Sequence, residues 1–333
     1  MDGTSVPLSL FYKNQGDDSD VVPLSSSSSS LPLSSTTTTT VVLVGYGSYG
    51  EPMDLAYNPC WRPLVDRGVV IAFAHTRGGG DLGRAYYRNG RQEKKINAIH
   101  DYEACAHYLK YTHDYNFNEN RNGNALFDGS KGRRRGDKST SSSVSLIAKA
   151  FSAGGVVVGA CVNRHPTDGL FDKVILTNAF VDVYQTMKNK NLFLTEHEYD
   201  EFGNPTPLCA TPTTATADND DADADDDDPN PNKADMDAII RSYCPIYNIK
   251  PELQSQSSTR FLIIGTLDDS NVPYWNATLY FKKLTLLSRN DNNHNNKQRV
   301  FLELQTEGGH NFSSSSKNQM EVMALENAFI LQQ

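Results

Sequence analysis

Ser152 is the residue of this sequence whose setting most clearly allows chemistry. It lies in KAFSAGGVVVG at residues 149 to 159, after a β-rich run and before an apolar segment with a helical pattern. A sharp strand-to-helix turn with small neighbours lifts a serine hydroxyl above the edge of a sheet, as in the GxSxG nucleophile elbow. Because Ala150 replaces the first glycine of that pattern, the motif alone is equally compatible with a serine that caps an ordinary helix.

A serine nucleophile needs a base, and the base needs a carboxylate that orients it. Downstream of Ser152, one apolar segment ends in LDDSNVPYW, which offers Asp268 and Asp269. A later one ends in TEGGHNF, which offers His310. Taken alone, His310 could be a histidine of a surface loop. The chain order Ser, Asp, His, with each residue after a strand, is however the order found in α/β-hydrolases, and three ordered matches are much less expected by chance than one.

These side chains require elements that bring them to one edge of a sheet. The patterns predict strands at residues 6–12, 41–46, 69–76, 144–151, 173–179, 260–266 and 300–305, and helices at about 99–111, 153–163, 276–287 and 319–331. Several strands are apolar on both faces, which is typical of a parallel sheet covered by helices on each side. We therefore predict an α/β fold of the α/β-hydrolase type, with a doubly wound, mostly parallel sheet.

Four polar tracts interrupt this alternation, at residues of about 25–40, 122–143, 211–235 and 288–298. Serine, threonine, aspartate and asparagine runs of this kind cannot bury enough apolar surface to offset their ordering entropy. We interpret them as surface insertions, since long loops cost little free energy. Residues 1–333 are accordingly predicted to form a single α/β-hydrolase domain.

Composition excludes several classes of function. The net charge is −9, but residues 218–228 contain eight aspartates, and the rest of the chain is close to neutral. Without a long basic face we expect no nucleic-acid partner. Five cysteines without a CxxC pair argue against a disulfide framework and a zinc site. No apolar run approaches membrane-spanning length and no signal peptide is evident, so we expect no membrane partner and a cytoplasmic location.

The chain resembles the catalytic domain of the prolyl oligopeptidase family of serine peptidases, and its nearest branches look like oligopeptidase B and the prolyl endopeptidase-like proteins. The sequence motifs that support the resemblance span most of the chain and occur in the same order as in the family. They are GYGSYG (45–50), RGGGDLG (77–83), KKIN (94–97), AFSAGG (150–155), EFGNP (201–205), SYCPIYNIKP (242–251), DDSNVPYW (268–275) and GGHNF (308–312).

This resemblance implies a role for each candidate at the predicted strand ends. Ser152 matches the family's nucleophile, His310 its general base and Asp269 its orienting acid. The family places that aspartate two residues before the position of Asn271, which favours Asp269 over Asp268. The implied reaction is hydrolysis of peptide bonds in short peptides through an acyl-enzyme, and the resemblance implies no metal and no cofactor.

The resemblance also implies an oxyanion hole and a specificity site. The oxyanion hole would use the Tyr46 hydroxyl and the Ala153 amide, although Tyr46 alone could be a half-buried aromatic at a strand end. The oligopeptidase B branch has two acidic residues where this chain has Glu198 and Asp200. Carboxylates there would bind a lysine or arginine side chain before the cut, so a preference for basic residues is expected. The alternative for both acids is a solvated acidic loop.

Family members normally carry an N-terminal β-propeller, which this sequence does not contain. A truncated gene model, a fragment of a longer product with a propeller, and a hydrolase without one all remain open. Two other functions stay open as well. One is a serine esterase or thioesterase of the prolyl endopeptidase-like type, and the other is a catalytically inactive interaction module.

Overall fold

Strands with apolar residues at successive positions form a sheet that lies between two hydrophobic cores. The computed structural model describes residues 2–13, 38–56, 58–112, 143–192, 194–205, 235–255, 257–288, 299–312 and 316–332. Within these residues the sheet has seven strands: β1 (Leu8–Phe11), β2 (Thr38–Gly45), β3 (Val70–Ala74), β4 (Ser143–Phe151), β5 (Lys173–Thr177), β6 (Arg260–Thr266) and β7 (Val300–Gln305).

The strands are ordered β1-β3-β2-β4-β5-β6-β7. All neighbouring pairs are parallel except β1 and β3, which are antiparallel at one edge. Strands β4 to β7 therefore lie side by side in chain order. Because carboxyl ends of parallel strands meet at one edge of a sheet, the loops after them share that edge.

The described part of the chain also contains ten α-helices. They are α1 (Arg62–Val65), α2 (Arg84–Arg88), α3 (Lys95–His107), α4 (Gly154–Arg164), α5 (Val183–Lys188), α6 (Tyr199–Phe202), α7 (Met236–Tyr243), α8 (Glu252–Ser255), α9 (Trp275–Ser288) and α10 (Ser316–Leu331). The short helices α1, α2 and α5 to α8 carry too few residues for a periodic pattern, and the sequence does not predict them. None of the helices in the described ranges is both long and apolar enough to cross a bilayer.

Each face of the sheet has its own hydrophobic core. In β2, Val41 and Leu43 pack toward α3, α4 and α9, whereas Val42 packs toward α1 and α10. Strands buried on both sides need apolar residues at successive positions, which is the pattern that the sequence shows. The mostly parallel, doubly wound sheet that the sequence predicts is thus present.

Each of the four predicted insertions is shorter at one end than the sequence indicates, because one to three of its residues belong to a strand, a helix or a helix cap. Thr38–Thr40 belong to β2 and Ser143 to β4, and the Thr38 and Ser143 hydroxyl oxygens lie 2.6 Å apart across the strand pair. Threonine suits strands because its branched side chain packs on a pleated surface, so a threonine run need not be a loop. In the other two tracts, Asp235 caps α7 and Ser288 ends α9. The other residues of the four tracts lie outside the described residues, so the single domain over 1–333 stays a prediction.

Candidate active site

The turn between β4 and α4 holds Ser152 in an unusual backbone conformation. Its φ is 52°, in the left-handed region that residues with side chains seldom occupy. The Ser152 amide donates to the Thr177 carbonyl at 3.2 Å, and the Ser152 carbonyl accepts from the Phe180 amide at 2.8 Å. Such strain persists only where the surrounding backbone fixes it, and it is typical of a nucleophile elbow.

Small residues around this turn are required by close backbone contacts. A Cβ atom at Gly154 would lie 2.5 Å from the Gly45 carbonyl oxygen, and one at Gly155 would lie 2.8 Å from the Phe180 carbonyl oxygen. Ala150 is different, because it is fully buried in β4 and pairs with Gly45 of β2. Its methyl group faces a partner without a side chain, so alanine fits here and the elbow forms despite the incomplete motif.

His310 links Ser152 to Asp269. The imidazole Nε2 lies 2.9 Å from the Ser152 Oγ, and Nδ1 lies 2.8 Å from Oδ2 of Asp269. The Asp269 side chain is completely buried. Its Oδ1 accepts from the amides of Asn271 and Val272 at 2.8 and 2.9 Å, which holds the carboxylate in one orientation toward the imidazole. The three side chains have the geometry in which a serine, a base and an orienting acid work together.

The adjacent aspartate, Asp268, has a different partner. Its carboxylate accepts from the amides of Gly308 and Gly309 at 3.2 and 2.9 Å, and so ties the loop after β6 to the loop after β7. From the other side, the Asn178 side-chain amide donates to the His310 carbonyl at 2.8 Å. Asp268 therefore helps to hold the loop that carries His310, while Asp269 contacts the imidazole itself.

Tyr46 lies beside Ser152 with a hydroxyl that keeps its proton. Burial raises the pKa of Tyr46 to about 12, and the nearby carboxylates of Glu51 and Glu201 add to the rise. A hydrogen bond with Ser152 acts in the opposite direction. At neutral pH the hydroxyl is accordingly a donor. Ala153, which precedes the first residue of α4 and is buried, contributes an amide at a helix N-terminus, where N–H groups point out of the helix.

A cavity of about 320 Å³ opens at Ser152 and His310. Much of its wall is apolar or aromatic, with contributions from Tyr46, Phe151, Phe180, Leu192, Leu194 and Val272. Within the described residues that line it, Glu198 alone has an acidic side chain. The Glu198 Oε2 accepts from the Tyr49 hydroxyl at 2.6 Å. Burial raises the pKa of Glu198, the Tyr49 hydrogen bond lowers it, and the charge of Glu201 raises it further.

Asp200 does not reach this cavity, in contrast to the expectation from the sequence. It is exposed, and its carbonyl accepts from the Gln92 side chain at 3.2 Å. The cause is the short helix α6, which begins just after Glu198. Helical spacing brings residues three apart to one face and turns a residue two positions away from it. The second acid on the inner side is consequently Glu201.

Glu201 belongs to a buried polar network that the sequence analysis missed. Its Oε1 lies 2.6 Å from the Lys95 Nζ, and its Oε2 accepts from the Tyr49 amide at 3.0 Å. The ammonium of Lys95, which has no exposed surface, also donates to the Gly47 carbonyl at 2.8 Å and to the Ser48 hydroxyl at 2.7 Å. This network ties α3 and α6 to the turn that carries Tyr46 and Tyr49.

The residues of this network lie in motifs that are visible in the sequence, but the sequence alone gives these residues no role. Tyr49, Lys95 and Glu201 lie in the words GYGSYG, KKIN and EFGNP, which are far apart in the chain. Only the folded structure shows that these three motifs are in contact. Burial lowers the pKa of Lys95 and the charge of Glu201 raises it, so each ion depends on the other for compensation.

Known proteins are similar to this chain in sequence. Residues 59–122, 142–210 and 209–333 match the sequence profile described as "Prolyl oligopeptidase family". A "Prolyl endopeptidase-like" protein of Pongo abelii is 28% identical over 320 residues, which is 95% of this chain and 34% of the relative. The chain thus spans about a third of the length of the curated relatives it matches.

Solved structures give the same result at the level of the fold. Oligopeptidase B from Leishmania major is similar with a TM-score of 0.66 and 25% identity, over 98% of this chain and 34% of that one. Oligopeptidase B from Trypanosoma brucei, solved in a closed form with covalently bound antipain, has a TM-score of 0.65 and 27% identity, over 99% and 36%. The predicted α/β-hydrolase fold is confirmed.

We expect the Lys95→Met variant to be strongly destabilised, because it leaves the buried Glu201 carboxylate without its counter-ion. The free energy of unfolding, measured by urea denaturation, should fall by about 3 to 5 kcal/mol. Lys94→Met is the matched control, since Lys94 is the preceding residue and is exposed; it should change stability by about 0.5 kcal/mol or less. Equal effects of the two substitutions would contradict a structural role for the Lys95–Glu201 pair.

Proposed function

Because the chain belongs to the prolyl oligopeptidase family, we propose that it hydrolyses peptide bonds of short peptides by acyl transfer to Ser152. The observation that supports the proposal is the pair of hydrogen bonds that link Ser152 to His310 and His310 to Asp269 at the elbow. The serine has the strained backbone that presents its hydroxyl, the base lies within reach of that hydroxyl, and the acid contacts the far side of the base.

In the proposed reaction, His310 Nε2 takes the proton of the Ser152 hydroxyl while Oγ attacks the substrate carbonyl carbon. Asp269 holds the imidazole in the tautomer whose Nε2 is free to accept, and it stabilises the imidazolium that forms. His310 then gives the proton to the leaving amine, and the acyl-enzyme remains. A water molecule, activated by the same imidazole, releases the acid and regenerates Ser152.

The oxyanion of the tetrahedral intermediate needs donors that are in place before it forms. We assign this role to the Tyr46 hydroxyl, which keeps its proton at neutral pH, and to the Ala153 amide. Fixed donors in a site with little water cost no reorganisation during the reaction, and each is worth about 2.7 to 4 kcal/mol of the barrier.

Glu198 supports a preference for a basic side chain at the residue before the cut. Its carboxylate lies in a cavity in which about half of the lining residues are apolar or aromatic. A lysine or arginine side chain suits such a cavity, because its methylene groups pack on apolar walls while its charged end pairs with a carboxylate. The Tyr49 hydroxyl fixes Glu198 from one side.

We expect Asp269→Asn to lower kcat by about four orders of magnitude, because an asparagine favours the tautomer with the proton on Nε2. The measurement is hydrolysis of a short peptide with a fluorogenic leaving group. Asp268→Asn is the matched control, since Asp268 contacts loop amides and not the imidazole. It should cost about tenfold or less, as loss of one hydrogen bond does. A larger loss in the control than in Asp269→Asn would contradict the assignment.

We expect Glu198→Gln to lower kcat/KM by about tenfold to a hundredfold for a substrate with arginine before the cut, since a charge-assisted hydrogen bond is lost. The same peptide with citrulline, which has the shape of arginine without its charge, should be nearly unaffected. Asp200→Asn is the matched control and should leave both values unchanged.

The same pair of substrates gives a test by pH. Because the pKa of Glu198 is raised, its carboxyl takes up a proton at a higher pH than a free glutamate does. The preference for arginine over citrulline should hold above that pKa and decline as the pH falls through it. Taking the ratio of kcat/KM values cancels pH effects that are common to both substrates. A ratio that does not change with pH, or that Glu198→Gln leaves intact, would count against Glu198 as the specificity residue.

A further inference from the structure

Glu103, His107 and His165 form a cluster at the end of the molecule opposite the elbow. Glu103 and His107 lie one turn apart near the C-terminal end of α3, and His165 directly follows α4. We propose that these three side chains bind a divalent transition-metal ion, with Zn²⁺ as the ion of choice. Two histidines and a carboxylate are a ligand set that zinc accepts in proteins.

The positions of the ligand atoms fit this proposal. One donor atom from each of the three side chains lies within 4.8 Å of the others. The Glu103 Oε1 and the His165 Nε2 are 2.7 Å apart. Zinc bonds its nitrogen and oxygen ligands at 2.0 to 2.2 Å, which puts two ligand atoms of a tetrahedral site about 3.3 Å apart. Small side-chain rotations are therefore enough to close the three groups around an ion.

Residues around the cluster orient the ligands. Asp168 bonds the other ring nitrogen of His165, and its second oxygen accepts from the Leu170 amide at 3.0 Å. A carboxylate behind a histidine in this way is the usual partner of a metal-binding imidazole. The Arg164 Nε donates to the Glu103 Oε2 at 3.0 Å and leaves Oε1 directed at His165.

His165 lies between two carboxylates. Both of its ring nitrogens face carboxylate oxygens, one from Glu103 and one from Asp168. A metal ion bound at Nε2 would leave the N–H at Nδ1 to donate to Asp168, and His107 would supply a third ligand. A protonated imidazole without a metal is the competing outcome.

Burial and charge at this position suit a metal site that keeps one open coordination position. The His165 and Glu103 side chains are only 10% and 14% exposed, and His107 is half-buried. Helix α4 ends here at Arg164, and a helix C-terminus carries partial negative charge that favours a cation. Water can supply the fourth ligand from the open side.

The site would stabilise the fold and take no part in the reaction. Helix α4 begins two residues after Ser152 and has 11 residues, which at about 1.5 Å per residue puts its other end roughly 16 Å away. A metal ion there would join α4 to α3, and both helices begin close to the candidate active site. Binding should thus raise the melting temperature and leave kcat unchanged.

The test is zinc binding to the full chain after treatment with a chelator and desalting, with a chromophoric chelator as competitor. We expect one Zn²⁺ per chain at micromolar or tighter affinity. His107→Gln should weaken binding at least tenfold, and Asp168→Asn about tenfold to a hundredfold, as loss of an outer partner does. His100→Gln, on the same helix but outside the cluster, is the matched control and should bind as the unaltered chain does.

Cobalt provides a readout that needs no variant. Co²⁺ added to the unaltered chain should give the intense visible bands of a tetrahedral site, without the near-ultraviolet band of a thiolate ligand. Zn²⁺ should abolish these bands and raise the melting temperature. Failure to bind either ion, a thiolate band, or unchanged zinc affinity in a folded His107→Gln variant would overturn the proposal.

Discussion

The left-handed conformation of Ser152 is the constraint on which the rest of the candidate active site depends. Only Ser152 and Ala153 separate the end of β4 from the start of α4, so α4 passes close to β2 and to the segment after β5. The glycines that follow the serine are consequences of that approach, since a side chain there would overlap backbone atoms. Ala150 shows that the first position of the motif does not have to be a glycine. Its methyl group lies opposite a glycine, so the first small residue of the motif need only be small.

The other parts of the site follow from strand order. Strands β4, β6 and β7 are parallel, and β5 lies between β4 and β6, so the residues after them meet at one edge of the sheet. The Asp269 carboxylate is held by amides of its own loop, and Asp268 joins that loop to the one bearing His310. Two neighbouring aspartates thus have separate tasks, one at the imidazole and one in the loop that positions it. The backbone provides this precision, with few side-chain contacts.

The sequence predicts the elements that are long and periodic, and with them the residues at the ends of those elements. Ser152, Asp269 and His310 each follow a strand of the sheet, and the chain order of those strands decides the order of the three residues along the sheet edge. The residues that would select the substrate are harder to predict. Glu198 precedes a helix of four residues and Asp200 lies in it, and only tertiary packing sets the direction of so short a helix. For the same reason Glu201 and Lys95 escaped notice, since 106 residues separate them. The cluster of Glu103 and His165 likewise depends on the end of α4 lying beside α3.

The central claim is that Ser152 is a nucleophile activated by its surroundings. Labelling of the folded chain with a fluorophosphonate probe, followed by mass spectrometry of the peptides, tests it most directly. We predict a single modified residue, Ser152, and loss of labelling in Ser152→Ala. Labelling that survives this substitution, or a folded chain that does not react at all, would contradict the claim.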